Sequence, residues 1–446
     1  MPSSLITIGR SGAAAARAGL ELTAQNIANA GNANFSRRSI SQSELVGSAT
    51  VGLYSGTAFN GVSLGNVQRA DNALARDQAR NTTSDLARAD AELAGLRGSE
   101  TALEQSRLFE GLVDFEAALT RLASDPLDPA LRTVALESAR QLADRFQLAD
   151  GALDDARGLA QSQVQSGIDE VNRQMATLAR INEQLTRTEP DTAGQLALFD
   201  QRDAALAALS EEVGISVDFE ERGVVNVRLG NSGGPLLVDG TTPSTLSASF
   251  AADGMASFDL DGTAVTPGSG ALAGRAAALT SQADLQAQLD DIALSTITRA
   301  NDAQANGVAT DGSAGGPLFS GSTAADIALA LGSPNGLATA PAGAPAGSRN
   351  ASNLTALIAA IGASDGPVAG SDALLLGISS RISGQETTRA ALATIAESAQ
   401  GALLFETGVD LDTEAANLVR LQQAFEANSR VIQVAAQLFD TVLGLR

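Results

Sequence analysis

Small and apolar residues recur by alternating threes and fours from Ser3 to Ala30. One series runs Leu5, Ile8, Gly12, Ala15, Gly19 and Leu22 and continues into Asn26 and Asn29; a second, Ile6, Gly9, Ala13, Ala16, Leu20, Thr23 and Ile27, lies beside it. The spacing predicts one helix with two adjacent stripes, stopped near Gly31. The last segment repeats the pattern with larger side chains. Leu411, Leu418, Leu421, Phe425, Asn428, Ile432, Ala435, Phe439 and Val442 hold heptad spacing, and Val431, Val434, Leu438 and Leu445 form a second stripe alongside. A helix over 411–443 would be about 50 Å long at roughly 1.5 Å per residue. One partner helix covers one stripe and leaves the other in water, so neighbouring subunits are the expected cover.

Between the ends the period changes twice. Residues 32–69 are rich in Ser, Asn and Gly, with turn signals at Val51-Gly-Leu-Tyr-Ser-Gly and Asn60-Gly61, and are expected to be extended and loop-like. Helix is predicted across 70–210, interrupted only at Pro126, Pro129 and Pro190; in Ser124-Asp-Pro-Leu-Asp-Pro, Asp128 is placed to cap and Pro129 to open the next helix. Its clearest heptad run is Val164, Ile168, Val171, Met175, Leu178, Asn182 and Leu185, where the polar member is expected to fix register. Beyond Glu211 the period falls to two. Ile215–Phe219 and Val224–Leu229 read as strands joined at Glu221-Arg-Gly223, and Phe258–Val265 as a hairpin across Asp261-Gly262. Helix returns over 274–305, loop is expected over 306–347, and two further helices near 353–361 and 371–405 lead to the last segment. The fold class is mainly α with a small β domain.

Composition supports close helix packing. Hydrophobic residues make up 44% of the 446, but only 3% are aromatic, so burial rests on Ala, Leu, Val and Ile, whose helices propagate well and approach closely. The length suggests about two to four domains. A net charge of −22 argues against nucleic acid and anionic membrane surfaces as partners. There is no Cys and no His, and the 29 basic residues are all Arg. Disulfides, thiolate nucleophiles, the usual zinc sites, imidazole acid–base chemistry and a P-loop or Schiff-base lysine are thereby excluded. Neither a signal-peptide pattern nor an 18-residue apolar run occurs, so no membrane insertion is expected, and any export would use another route.

Four features imitate sites. Gly230-Asn-Ser232-Gly-Gly234 matches the nucleophile-elbow pattern of serine hydrolases, but without His it reads as a turn after a strand. Acidic pairs such as Asp154-Asp155, Glu211-Glu212, Glu220-Glu221 and Asp290-Asp291 read as solvated surface, because adjacent helical residues do not face each other. Asp311-Gly312 lacks the repeated oxygen ligands of a calcium loop. Asn428, like Asn182, reads as a register-setting residue. No catalytic, cofactor-binding or metal-binding residue is expected, and the chain reads as a structural subunit rather than an enzyme.

Both ends resemble the flagellar axial proteins, the family of rod, hook and hook-associated subunits. Leu22-Thr-Ala-Gln-Asn-Ile-Ala-Asn-Ala30 followed by Asn34-Phe-Ser-Arg-Arg38 is similar to that family's Asn-Ile-Ala-Asn signature and its downstream aromatic-Ser-Arg. Gly408-Val-Asp-Leu-Asp-Thr-Glu-Ala-Ala-Asn-Leu418, Gln422-Gln-Ala-Phe-Glu-Ala-Asn-Ser-Arg-Val-Ile432 and Leu438-Phe-Asp-Thr-Val-Leu443 resemble its C-terminal motif. Rod and hook subunits enter β structure soon after the first motif. Here helices intervene, with Asp125-Pro and Asp128-Pro-Ala-Leu-Arg132 and then Leu198-Phe-Asp-Gln-Arg-Asp203, which resembles the junction members between hook and filament. The chain departs from the family at Gly31-Asn-Ala-Asn-Phe35, where a Thr-Pro-Gly-Tyr turn is common, and its β region is short.

The resemblance implies a discontinuous multi-domain axial protein. Paired terminal helices (1–33 with 408–446) would form a coiled-coil domain, 34–212 with 274–407 an elongated, mainly helical middle domain, and 213–273 a small outer β domain. It implies self-association into a ring or helical homo-oligomer through Leu5, Ile8, Leu22, Asn26, Ile27, Asn29, Leu411, Leu418, Leu421, Phe425, Asn428, Ile432, Phe439 and Val442. Hook protein and hook-associated protein 3 are the implied neighbours, with an export chaperone on the C-terminal helix. The implied location is the hook–filament junction, outside the cell, reached through the flagellar type III apparatus without a cleaved signal peptide. Hook-associated protein 3 itself, a secreted hydrolase on flagellar-type ends and a soluble coiled-coil binding module are the alternatives.

Overall fold

The computed structural model describes residues 2–32, 34–45 and 61–444. The turn signals at 51–56 and Asn60 lie outside the described residues. The structure is mainly helical with a few small sheets, and it divides into two compact units that share the long helices. The first comprises residues 1–83, 172–245 and 393–446; the second comprises 84–171 and 246–392.

In the first unit, α1 (Pro2–Asn29) pairs with α9 (Leu411–Gly444), and β1 (Arg38–Glu44) pairs with β2 (Val62–Arg69) as an antiparallel hairpin beside α1. The stretch expected to be loop-like therefore contains strands. Alternation could not reveal them, since Arg38-Ser-Ile-Ser-Gln-Ser-Glu44 has a single apolar residue, Ile40, which pairs with Val67; the register slips between Ile40 and Gln42. The unit also holds the start of α2 (Ala73–Ser106), the end of α4 (Pro129–Arg187), α5 (Ala193–Glu212) and the end of α8 (Pro367–Thr407). Thr192 caps α5 by accepting from Gln195 N, and Asp410 opens α9 by accepting from Thr413 N at 2.9 Å. A four-stranded antiparallel sheet, β3 (Ile215–Phe219), β4 (Val225–Leu229), β5 (Leu236–Asp239) and β6 (Thr242–Pro243), completes it.

Asn182 joins that sheet to α4. Its amide donates to Val225 O at 2.8 Å and Gly240 O at 2.6 Å, while its Oδ1 accepts from Val225 N at 3.0 Å. The residue expected to set register between helices is instead a buried helix-to-sheet clamp. The other heptad members, Val164, Ile168, Val171, Met175, Leu178 and Leu185, are buried as their spacing predicts.

The second unit is built on one core drawn from α2, α3 (Leu108–Ser124), α4, α6 (Ala271–Ala305), α7 (Ser352–Ile361) and α8. Phe115 meets Phe319 edge to face, with ring centroids 6.0 Å apart. A three-stranded sheet, β7 (Leu246–Phe250), β8 (Ala256–Leu260) and β9 (Thr263–Val265), belongs here, so 213–273 contains two separate sheets, one in each unit. Between α2 and α3 the chain breaks at Arg107, which adopts a left-handed conformation with φ 52°.

Residues 306–347 carry little regular structure: β10 (Gly307–Val308), β11 (Phe319–Ser320), β12 (Ala328–Leu329) and β13 (Ala340–Pro341) are two-residue strands. They are nevertheless packed. Leu318, Phe319, Ala324, Ile327 and Leu337 enter the core, and side chains replace the missing backbone partners: Asn301 Oδ1 accepts from Leu318 N and Phe319 N, and Gln304 Oε1 from Ala338 N. Fully buried Arg132 donates to Pro126 O, Pro334 O, Leu337 O and Thr339 Oγ1. Burial holds its guanidinium below the usual arginine range.

Candidate assembly surface

The seam between α1 and α9 is made of small residues on one side. Gly9, Gly12, Ala16, Gly19, Thr23 and Asn26 recur by threes and fours, and all but Gly12 are buried. A methyl group at Gly9 would stand 2.8 Å from Ile432 Cγ1, one at Gly12 2.8 Å from Asn428 Cγ, and one at Gly19 2.9 Å from Leu421 Cδ2. The partners on α9 descend as α1 ascends, so the pair is antiparallel, and no Cβ fits between the helices at these points without movement. Asn428 turns inward on its own helix, donating from Nδ2 to Ala424 O at 2.8 Å.

This seam draws from both predicted stripes of α1. Asn26 is buried and clamps the hairpin: its Nδ2 donates to Arg38 O at 2.9 Å and its Oδ1 accepts from Arg38 N at 3.0 Å. Ile8, Leu22, Ile27 and Asn29 are half-buried and Leu5 is exposed, while the Asn29 amide donates to Gln25 O. On α9, Leu418, Leu421, Asn428 and Ile432 are half-buried, whereas Leu411, Phe425 and Phe439 are exposed. The side chain of Val442 lies outside the described residues.

Pairing with α1 leaves much of α9 uncovered. Val431, Val434, Leu438 and Phe439 expose 40%, 54%, 48% and 46% of their surface. Val431, Val434 and Leu438 recur by threes and fours as the described part of the predicted second stripe, and Phe439 and Phe425, from the heptad stripe, lie exposed beside them. Leu445 lies outside the described residues.

Below the hairpin sits a charged cluster that the periodicity gave no sign of. Arg38 Nη2 meets Asp200 Oδ2 at 2.9 Å, and Arg69 bridges Asp200 at 2.8 Å and Asp203 at 2.6 Å. Asp203 also takes Arg76 at 2.8 Å and Arg202 at 2.8 Å, and Arg76 Nη2 donates to Ser36 Oγ. Arg202 lies over the rings of Phe199 and Phe219, each centroid 4.9 Å from its Cζ. Burial alone would raise the pKa of Asp203, but Arg202, Arg69 and Arg76 together hold it below the ordinary carboxylate value. The signal for this cluster lay in two motifs far apart in sequence, Asn34–Arg38 and Leu198–Asp203, which the fold brings together. Arg37 N, in the same turn, donates to Thr407 O at the end of α8.

Beside the cluster is an open cleft of about 630 Å³ between the 34–36 turn, α2, α5 and the end of α8. Ala79, Ala204, Ala207, Ala396 and Leu404 contribute apolar wall, and Arg80 a basic one. The imitation sites resolve as local structure. Gly230–Gly234 is the turn between β4 and β5, with Asn231 Oδ1 accepting from Gly233 N, and Asp311 accepts from both the N–H and hydroxyl of Ser313. Among the described residues, no group of three or more Asp or Glu side chains could hold a metal, and no helix is long and apolar enough to cross a membrane.

Two family models match the chain: flagellar hook-associated protein FlgK helical domain over residues 100–319, and flagellar basal body rod FlgEFG protein C-terminal over residues 399–445. Flagellar hook-associated protein 1 of Escherichia coli (strain K12) is 29% identical over 250 residues, covering 55% of this chain and 45% of that protein. The protein of that name from Bacillus subtilis (strain 168) is 24% identical over 216 residues, covering 47% and 43%. The chain thus spans somewhat under half the length of these relatives. The solved structure of the flagellar hook junction protein FlgK from Burkholderia pseudomallei superposes with a TM-score of 0.63 at 14% identity, over 73% of this chain and 99% of that one, a shared fold.

Proposed function

Because this chain belongs to the FlgK family of flagellar axial proteins, we propose that it is a structural subunit of the hook–filament junction that assembles through its terminal helices. The observation that carries this reading is the apolar surface of α9 left exposed beside the pairing with α1: the second-stripe residues Val431, Val434 and Leu438, with Phe439 next to them. A stripe of that kind in water is an unfilled interface. Contacts between non-identical patches of identical subunits generate rings or helices, the symmetry a tubular junction requires.

The terminal pair, 1–33 with 408–446, is the assembling element in this reading, and 34–212 with 274–407 and 213–273 are carried by it. Its partners are further copies of itself, hook protein and hook-associated protein 3. It acts as a scaffold, without catalysis, cofactor or nucleic acid. It reaches the flagellum through the type III apparatus, and before assembly an export chaperone covers Leu421, Phe425, Ile432 and Phe439. Deleting the coding sequence tests this: cells should make hooks without filaments and lose flagellin to the medium, and the wild-type chain should restore both. Normal filaments in the deletion strain would refute the proposal.

A further inference from the structure

The last turn of α8 carries the most exposed large apolar side chain among the described residues. Phe405 is 88% exposed, does not line the adjoining cleft of its own subunit, and is followed by the exposed carboxylate of Glu406. A free phenylalanine ring in water is costly, and the same unit holds an unfilled cleft with alanine walls. The cleft also contains a group short of a partner. Arg80 is only 8% exposed, meets the half-exposed Asp77 at 3.2 Å, and its Nε has no hydrogen-bond acceptor. The other carboxylates at the cleft relieve it only in part: the charge of Asp203 reaches Arg80, but burial outweighs it. Asp203 is already shared by Arg69, Arg76 and Arg202, and Glu211 and Glu397 are exposed on the rim.

We infer that, in the assembly, the Phe405–Glu406 turn of one copy seats in this cleft of the next, with the ring against Ala79, Ala204 and Ala207 and the carboxylate toward Arg80. The inference rests on the self-association proposed above. The charges are complementary: Glu406 sits at the C-terminus of α8, where the helix dipole adds negative character, and Arg80 lacks full compensation. Knob and cleft are different patches of one chain, so a one-way contact propagates around a ring or along a helix, whereas a reciprocal exchange would close a two-fold dimer; the assembly proposed above requires the one-way contact, which the ladder from the double variant reads.

The chain has no Cys, so cross-linking has no native background. Flagella are isolated from cells producing full-length Phe405→Cys and Ala207→Cys chains together, then oxidised. A dimer should form from the mixture, each variant alone should remain monomeric, and the double variant should give a ladder beyond dimer. Flagella that contain both variants yet give no dimer would overturn the inference, as would a dimer of Phe405→Cys with itself. A second measurement decides if Phe405→Cys folds but is not incorporated: Phe405→Ala should enter flagella at least about tenfold less than wild type and Phe405→Leu within about twofold. Equal incorporation of the Ala variant would also overturn it. Failure of the parent reading is seen separately, as absence of the wild-type chain from flagella.

Discussion

Gly12→Ala tests how closely the terminal helices approach. In an open helix the change stabilises by about 1 kcal/mol, because Ala exceeds Gly in helix propensity by that amount. At Gly12 the new methyl would stand 2.8 Å from Asn428 Cγ and 2.9 Å from its Nδ2. Either the helices part or the Asn428 side chain rotates and gives up its bond to Ala424 O. Overpacking costs about 1–3 kcal/mol and the lost hydrogen bond about 1 kcal/mol. Against the propensity gain of about 1 kcal/mol, the net should be a loss of up to about 2 kcal/mol in the α1–α9 pairing, in place of the gain an open helix shows. The control is Gly384→Ala on α8, where a methyl meets nothing within 4 Å; it should stabilise by about 1 kcal/mol. Hydrogen exchange of α1 amides in the purified full chain reads the pairing locally. Asn428→Ala in the Gly12→Ala background should recover most of the loss, a coupling that single changes do not show. If Gly12→Ala protects α1 as Gly384→Ala protects α8, the helices do not meet as described.

The other perturbations bear on the frame that holds the pair. Asn182→Ala strips the buried Val225 N–H and C=O of their partners and should lower unfolding stability by about 2–5 kcal/mol in urea titration, the cost of orphaned buried groups. Arg132→Met keeps the volume but removes donors to three carbonyls and Thr339, so residues 334–339 should lose amide protection while the α1 amides keep theirs. Asp203 has a depressed pKa when folded, so its contribution is complete above the ordinary value and is lost as pH falls through the folded one. Hairpin amides of the wild type should therefore lose protection below about pH 4, whereas Asp203→Asn should be weakened already at pH 7 and change little on acidification.

The terminal helices and the helices across 70–210 were legible because a stripe that must be buried imposes its period on the sequence, and Asp128-Pro129 marks a helix start by chemistry that acts locally. The β1–β2 hairpin was not legible, since only Ile40 marks an apolar face and the strand is held by Asn26 and Arg38, whose partners lie elsewhere in sequence. The same reason hides the Arg38–Asp200–Arg69–Asp203 cluster: charged residues read as surface until the fold brings them together. Asn182 was visible as an anomaly in an apolar seam, but its role depends on a sheet more than forty residues away. Packing of 306–347 leaves no periodic trace in the sequence because its backbone is satisfied in part by the side chains of Asn301 and Gln304. The wide C-terminal stripe was legible as a need for cover; the sequence could not tell which half α1 takes.

In the proposed assembly the outer stripe of α9 belongs to neighbouring subunits and not to the fold of the single chain. The most direct measurement is the swimming and flagellar incorporation of a Val434→Asp, Leu438→Asp double variant, alongside hydrogen exchange of α1 in the purified protein. Both residues are exposed beside the α1–α9 pair, so exchange in the isolated chain should match wild type while incorporation and swimming are lost. Swimming at wild-type speed with the variant incorporated into flagella would contradict the account.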